Sequence, residues 1–256
     1  MKTILTIAGS DTCAGAGIQQ DLKTITSLGH YAVTVTTALT AQNTVGVQKI
    51  MPVPAEMLQA QLDSILSDID IAAVKTGMIP DTLSARIIIT ALKQLDVPIV
   101  CDPVMISTSG TQLMSDECIK TVRDELFPIS TLVTPNIPEA MRLTGKTTAD
   151  SRDIGNMLVE QYSTAFLMKG GHADSTMMTD RLYTTDGAVC EYTSPRIATT
   201  NLHGTGCTLS SAVATLLAEG QSLADSVRGA KTLIDKGIKQ GRHLHIGKGN
   251  GPLWLF

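Results

Sequence analysis

Short apolar runs alternate with amphipathic stretches along almost the whole chain. Residues 3–8, Thr-Ile-Leu-Thr-Ile-Ala, form a β-branched apolar run that reads as a strand. Residues 18–28 carry apolar positions at helical spacing, and Gly29 suits the turn just past a helix end. Further strands are expected at 31–40, 71–75, 98–101, 132–134 and 165–168. Further helices are expected at 54–69, 115–126 and 154–162, and another runs to about Leu95 from Asp81, whose side chain suits an N-cap. Pro138 opens a helix where proline is tolerated. Residues 182–192 read as a hairpin around Asp186-Gly187, and two last helices start at Thr205 and Ser222.

Repeated strand–helix units imply a mainly parallel sheet covered by helices, an α/β class. The connections are short, no linker-like shift in composition appears, and no repeat is visible, so residues 1–256 are expected to form one domain. Composition narrows the function. Hydrophobic residues make up 43% of the chain and aromatics only 3%, so aliphatic side chains and methionines must fill the core. A net charge of -4 with no basic block, and so few stacking aromatics, argues against a nucleic-acid partner. No apolar run approaches the ~18 residues of a membrane helix. The N-terminal run is too short for a signal peptide. Five cysteines without C-x-x-C spacing suggest reduced thiols and a cytoplasmic location rather than disulfides or a zinc site.

Ligands of open α/β sheets bind beyond the carboxyl ends of the strands. Those ends carry Gly9-Ser10-Asp11, then Gln42, then Lys75-Thr76-Gly77-Met78, Asp102-Pro103-Val104-Met105, Thr134-Pro135-Asn136 with Glu139, and Lys169-Gly170-Gly171-His172. Each has an ordinary reading. Asp102 can form a turn, Asn136 and Glu139 can cap a helix, Lys169 can be solvated, and Met78 and Met105 can fill core gaps. Their functional readings are magnesium held near Asp102 and Glu139, a phosphate on Lys169, and a heterocycle edge on the Gln42 amide. The histidines show no metal spacing. No P-loop and no dinucleotide fingerprint is present.

The densest signal is Gly204-Thr205-Gly206-Cys207 at the start of a helical pattern. A glycine loop entering a helix offers free N–H groups and a positive dipole end to an anion, most often a phosphate. Cys207 is either a small residue packing the helix start or a thiol whose pKa the helix N-terminus lowers, fit to take a proton from a substrate hydroxyl.

Taken in order, the segments LTIAGSD, GAGIQQDLKT, TALTAQNTVGVQ, KTGM, DPVM, LVTPNIPEA, LMKGGH, NLHGTGCTLSSA and GKGNGPL span nearly the whole chain. The chain resembles the hydroxymethylpyrimidine/phosphomethylpyrimidine kinases of thiamine biosynthesis, a branch of the ribokinase-like superfamily. The resemblance implies a three-layer α/β/α fold, ATP and Mg²⁺, and two successive phosphorylations of 4-amino-5-hydroxymethyl-2-methylpyrimidine. It implies Gln42 on the pyrimidine, with Gly9, Asp21, Met78 and Met105 around it. Asn136 and Glu139 match an N-x-x-E motif that positions Mg²⁺, with Asp102 and Thr134 near metal and phosphates and Lys169 on the ATP phosphates. Gly204, Thr205 and Gly206 would form the anion hole and Cys207 the base, where most of the superfamily has aspartate. A homodimer is common in the family.

The chain departs from that pattern in three places. Asp11-Thr12-Cys13-Ala14-Gly15-Ala16-Gly17 stands where the family often reads DPSGGAG. Ser107-Thr108-Ser109-Gly110 lacks the lysine of a usual AKSG loop, and Leu253-Trp254-Leu255-Phe256 replaces terminal histidines. The alternatives are a pyridoxine/pyridoxal kinase on the same fold, which the D-T-x-A-G-A-G form resembles and Gln42 opposes, and a non-catalytic binder of a vitamin precursor.

Overall fold

Alternation within the strands sets the layers. Leu5, Ile7, Val74, Ile99, Cys101, Val133, Phe166 and Met168 join one buried cluster. Their neighbours Ile4, Ala73, Val100, Leu132, Ala165 and Leu167 join another on the opposite face. Strands buried on both faces need helices on both faces, and the chain supplies them. The structure, a computed structural model, describes residues 1–106, 110, 112–146, 151–170 and 176–256, with the backbone alone at 151–153. The residues Ser107, Thr108, Ser109, Gly171 and His172 considered above lie outside the described residues.

Among the described residues, the strands are β1 (Thr3–Ser10), β2 (Tyr31–Asn43), β3 (Gly46–Pro52), β4 (Ala73–Thr76), β5 (Ile99–Cys101), β6 (Leu132–Val133), β7 (Ala165–Met168), β8 (Met177–Tyr183) and β9 (Val189–Pro195). They form one sheet in the order β3-β2-β1-β4-β5-β6-β7-β8-β9. From β2 to β7 all pairings are parallel. Antiparallel strands finish both edges. The helices are α1 (Gly17–Ser27), α2 (Ala55–Leu66), α3 (Thr82–Leu92), α4 (Asp116–Thr121), α5 (Ile137–Thr144), α6 (Ser151–Tyr162), α7 (Thr205–Ala218) and α8 (Leu223–Gly241). Residues of α1, α7 and α8 pack on one face of the sheet, and those of α2 to α6 on the other. The fold is a three-layer α/β/α arrangement, as expected.

Local chemistry accounts for most element ends. Asp81 caps α3 by accepting from the Ser84 N–H at 2.8 Å. Ser222 does the same for α8 through the Asp225 N–H. Gly29 follows α1 in the left-handed region at φ 83°. Three elements differ from the sequence reading. The expected helix at 115–126 is α helix only to Thr121, then widens into a π-type turn over Val122–Leu126 before Pro128. The hairpin turns at Asp186-Gly187, but its strands reach further in both directions. Strand β3 was not foreseen. It is a half-exposed edge strand with no clean alternation, and it extends β2 to Asn43 past a bulge between Ala41 and Gln42.

Because the Asp81 cap satisfies an otherwise open helix donor, Asp81→Ala is expected to destabilise the protein by about 1 kcal/mol in a denaturant titration. An unchanged midpoint would show that water serves the α3 terminus equally well.

Candidate active site

Strand order reverses at β1, with β2 on one side and β4 on the other, and a crevice opens beyond the carboxyl ends there. It is a cleft of about 730 Å³. Gly9, Gln42, Met78 and Met105 line it, as do Asp102, Asn136, Glu139 and Lys169, and the whole Gly204-Thr205-Gly206-Cys207 loop. Residues far apart in the chain therefore converge because they end or follow strands of one sheet or start helices beside it.

The glycine loop depends on backbone freedom at one position. Gly204 precedes α7 at φ 87°, and a β-carbon there would lie 1.8 Å from the Gly15 carbonyl oxygen. Any side chain is excluded, so the loop can press against Gly15, while the Thr205 N–H donates to the Leu202 carbonyl at 3.3 Å. Gly206 faces the charged groups: a β-carbon on it would lie 3.4 Å from Asp102 Oδ2 and 3.6 Å from Lys169 Nζ. The space left by the missing side chain is bounded by a helix N-terminus, a carboxylate and an ammonium.

The Lys169 Nζ donates to Asp102 Oδ1 at 2.8 Å, and the Thr134 hydroxyl donates to the same oxygen at 3.1 Å. Burial disfavours charge on Lys169, but Asp102 and Glu139 hold its ammonium above the ordinary value. Asn136 and Glu139 realise the capping reading in full. Asn136 Oδ1 accepts from the Glu139 N–H and Glu139 Oε2 accepts from the Asn136 N–H, both at 2.8 Å. The same Glu139 lines the cleft, so cap and cleft wall are one residue. Burial, with Asp102 nearby, pushes its carboxyl up to about 7 despite Lys169. Two carboxylates facing one lysine leave a local demand for positive charge, and hard oxygen donors of this kind suit Mg²⁺ carried with substrate phosphates.

Two expected site residues sit elsewhere. Asp21 does not line the cleft; it lies fully buried under its floor. Its Oδ2 accepts from Lys75 Nζ at 2.7 Å and from Thr6 at 2.6 Å, and its Oδ1 accepts from Ser211 at 2.6 Å. Both oxygens are taken by protein groups. Thr134 is likewise fully buried and reaches the site only through Asp102. Cys207 lines the cleft, but its thiol does not behave as a helix N-terminus alone would dictate. Burial pushes it up to about 11, Lys75 and the Gly17 backbone N–H pull it down, and Asp21 and Asp102 push it up further. The expected lowering is therefore corrected: desolvation outweighs the dipole, and the thiol holds its proton at neutral pH.

Three residues gained a part that the sequence reading did not assign. Lys75 is fully buried and lines the cleft floor. Its signal was a lysine ending an apolar run, where an alternating strand would have offered solvent. His203 Nε2 contacts Asp11 Oδ2 at 2.8 Å and Gln42 Nε2 at 3.2 Å. The expectation of a satisfied histidine fits, while its contact to Gln42 had no local signal. Asp11 also accepts from the Cys13, Gly15 and Ala16 backbone N–H groups. Burial opposes its charge, yet the bonds from His203, Cys13 and these amides keep its carboxyl below the ordinary range.

A helix start ready for phosphate, a lysine, and carboxylates suited to a dication make this a site for moving phosphoryl groups, and with this fold the class is a ribokinase-like small-molecule phosphotransferase. A family model described as phosphomethylpyrimidine kinase matches residues 11–254. The chain is 41% identical over 263 aligned positions to the hydroxymethylpyrimidine/phosphomethylpyrimidine kinase of Escherichia coli K12, spanning 100% of this chain and 98% of that protein. The crystal structure of phosphomethylpyrimidine kinase from Clostridium difficile 630 matches with a TM-score of 0.82 and 36% identity, over 93% of this chain and 100% of the other. An ADP complex of Bacillus subtilis pyridoxal kinase matches with a TM-score of 0.90 and 30% identity, over 100% and 97%. The chain belongs to the phosphomethylpyrimidine kinase family.

Removing one member of the buried Lys75–Asp21 pair leaves an uncompensated buried charge. Lys75→Met is expected to cost about 3–5 kcal/mol in chemical denaturation. A loss below about 1 kcal/mol would mean that water or another cation reaches Asp21.

Proposed function

We propose that this chain transfers the γ-phosphoryl of ATP to the hydroxymethyl group of 4-amino-5-hydroxymethyl-2-methylpyrimidine, and then phosphorylates the monophosphate to the diphosphate, as a step in thiamine biosynthesis. The observation that carries this reading is Gly206 facing Asp102 and Lys169 at the start of α7, in the same cleft as Gln42. The names of the full-length relatives support the substrate, and the ADP complex of the pyridoxal kinase supports the nucleotide. Likeness of fold does not choose between pyrimidine and pyridoxal. The higher identity to the pyrimidine kinase favours the pyrimidine.

In this reading the Gln42 amide pairs with the heterocycle edge, and Gly9, Met78 and Met105 shape the apolar wall around it. Leaving a polar edge unpaired in a closed site is costly, which gives Gln42 its selectivity. The N–H groups of Gly204 and Gly206 stabilise charge on the transferring phosphoryl, the Thr205 N–H being taken by the Leu202 carbonyl, and Lys169 holds the nucleotide phosphates beside Asn136. Asp102, oriented by Thr134, and Glu139 would hold Mg²⁺ with the phosphates. When bound, the ion neutralises phosphate charge. Asp21 acts from below through Lys75. Cys207 Sγ takes the proton of the attacking hydroxyl. Because that thiol is protonated at rest, only its small thiolate fraction serves as base, and Lys75 enlarges that fraction.

The second phosphorylation needs a cation for the monophosphate, and the usual loop lysine is missing. Arg142 lines the cleft one helical turn beyond Glu139, held by the exposed Asp116, and fills that need. The chain acts as one domain and as a cytoplasmic homodimer. Among the described residues no helix is long and apolar enough to cross a membrane.

Incubation with ATP, Mg²⁺ and either the pyrimidine alcohol or pyridoxal tests the reading. The expected product is pyrimidine diphosphate, with pyridoxal phosphorylated poorly. A large preference for pyridoxal, or heterocycle binding without ATP turnover, would contradict it. In the same assay Arg142→Ala is expected to slow the second phosphorylation more than the first. Equal slowing of both would remove Arg142 from the monophosphate subsite.

A further inference from the structure

Three different metal-binding side chains converge at the rim of the cleft, outside the phosphate apparatus. Cys13 Sγ lies 3.4 Å from Asp11 Oδ2, and His203 Nε2 lies 2.8 Å from the same oxygen. One ligand atom from each residue lies within 4.8 Å of the other two. Asp11 and His203 are buried and Cys13 is half-buried, so the group is enclosed yet open on one side.

The cluster is also rigid. The Asp11 carboxylate is fixed by N–H groups of Cys13, Gly15 and Ala16. The His203 backbone is tied to the Gly251 carbonyl at 3.0 Å. The imidazole rests on Gly15, where a β-carbon would meet its Cδ2 at 2.3 Å. Little side-chain freedom remains to be lost on binding.

We propose that Asp11, Cys13 and His203 form a binding site for one thiophilic divalent cation, with zinc the metal of choice, beside Gln42. A thiolate, an imidazole and a carboxylate are zinc donors and poor magnesium donors. The pattern that this chain otherwise resembles often carries serine where Cys13 stands, and the cysteine supplies the soft ligand here. At present two protons sit between the three groups. One is on the thiol, whose pKa burial and then Asp11 push up to about 11, and one is on Nε2, because the ionised Asp11 carboxylate beside it can only accept. On binding, the thiol proton leaves to solvent and the imidazole proton moves from Nε2 to Nδ1. The dication then accepts electron pairs from Sγ, Nε2 and Oδ2, with no change of oxidation state.

Three protein ligands leave a fourth zinc position. A further polar side chain beside the cluster is Gln42, whose Nε2 is 3.2 Å from His203 Nε2. A bound cation therefore competes with the heterocycle for the Gln42 amide and inhibits by raising KM. This inhibitory consequence rests on the proposed kinase reading; the binding of the metal does not.

Cadmium serves as the probe, because its bond to thiolate gives an ultraviolet charge-transfer band. The full chain, kept reduced with a phosphine, is expected to take up one equivalent with that band, and zinc is expected to displace it. Cys13→Ser is expected to lose the band and at least about tenfold in zinc affinity, measured against a chromophoric chelator. His203→Gln is expected to lose affinity to a similar extent and carries the test should Cys13→Ser not fold. Cys207→Ser is expected to keep the band. Absence of stoichiometric binding, a band retained in Cys13→Ser, or a band lost only in Cys207→Ser would overturn the proposal. If the kinase reading fails, there is no turnover for zinc to inhibit, yet the cadmium band and its loss in Cys13→Ser remain.

Discussion

Everything in this site stands on a lysine that cannot reach water. Lys75 lies near the end of a strand in the middle of the sheet and is fully enclosed, so its charge must be matched inside the protein. Asp21 matches it from α1 at 2.7 Å, and Thr6 and Ser211 supply the remaining hydrogen bonds to that carboxylate from β1 and α7. One ion pair thereby ties together four elements that frame the cleft. A buried pair of this kind is poor evidence for net stability, since apolar replacements can pack as well. Its use here is electrostatic and positional. It fixes α7 against the strand ends and sets a positive charge beneath Cys207.

The rest of the cleft balances charge locally, as a protein of net charge -4 that handles polyphosphates must. Asp102 is shared by Lys169 and Thr134, and Glu139 is both a helix cap and a carboxylate of the wall. The two carboxylates and the one ammonium leave a site that gains from a dication and repels a bare thiolate. Burial, with repulsion from Asp21 and Asp102, is why the Cys207 thiol stands high although it opens a helix. A dipole worth a few tenths to about 1 kcal/mol at a helix start does not overcome the desolvation of this thiol.

The parallel centre of the sheet was legible from the chain because each strand is a short apolar run followed by small or polar residues. The site was legible for the same reason: Gly204 to Cys207, Asp102, Asn136, Glu139 and Lys169 all follow a strand or open a helix. What escaped depends on contacts across long sequence separations. Strand β3 is half exposed and owes its form to pairing with the far end of β2. Asp21 lies on an amphipathic helix, and only the three-dimensional partner Lys75 shows that it is turned away from the cleft. The pKa of Cys207 follows from what surrounds the helix start, which no motif records. The cluster of Asp11, Cys13 and His203 joins residues almost two hundred positions apart through one carboxylate oxygen.

The central claim is that Cys207, whose thiol burial keeps protonated at rest, accepts the substrate proton through its minor thiolate form, which the charge of Lys75 favours. The pH dependence of kcat tests it most directly. With the thiol at about 11, kcat of the wild-type chain should rise about tenfold per pH unit from neutral pH upward. In Cys207→Asp, with a base already ionised, the profile should flatten over the same range. A flat wild-type profile, or a rise that persists unchanged in Cys207→Asp, would contradict the assignment of Cys207 as proton acceptor.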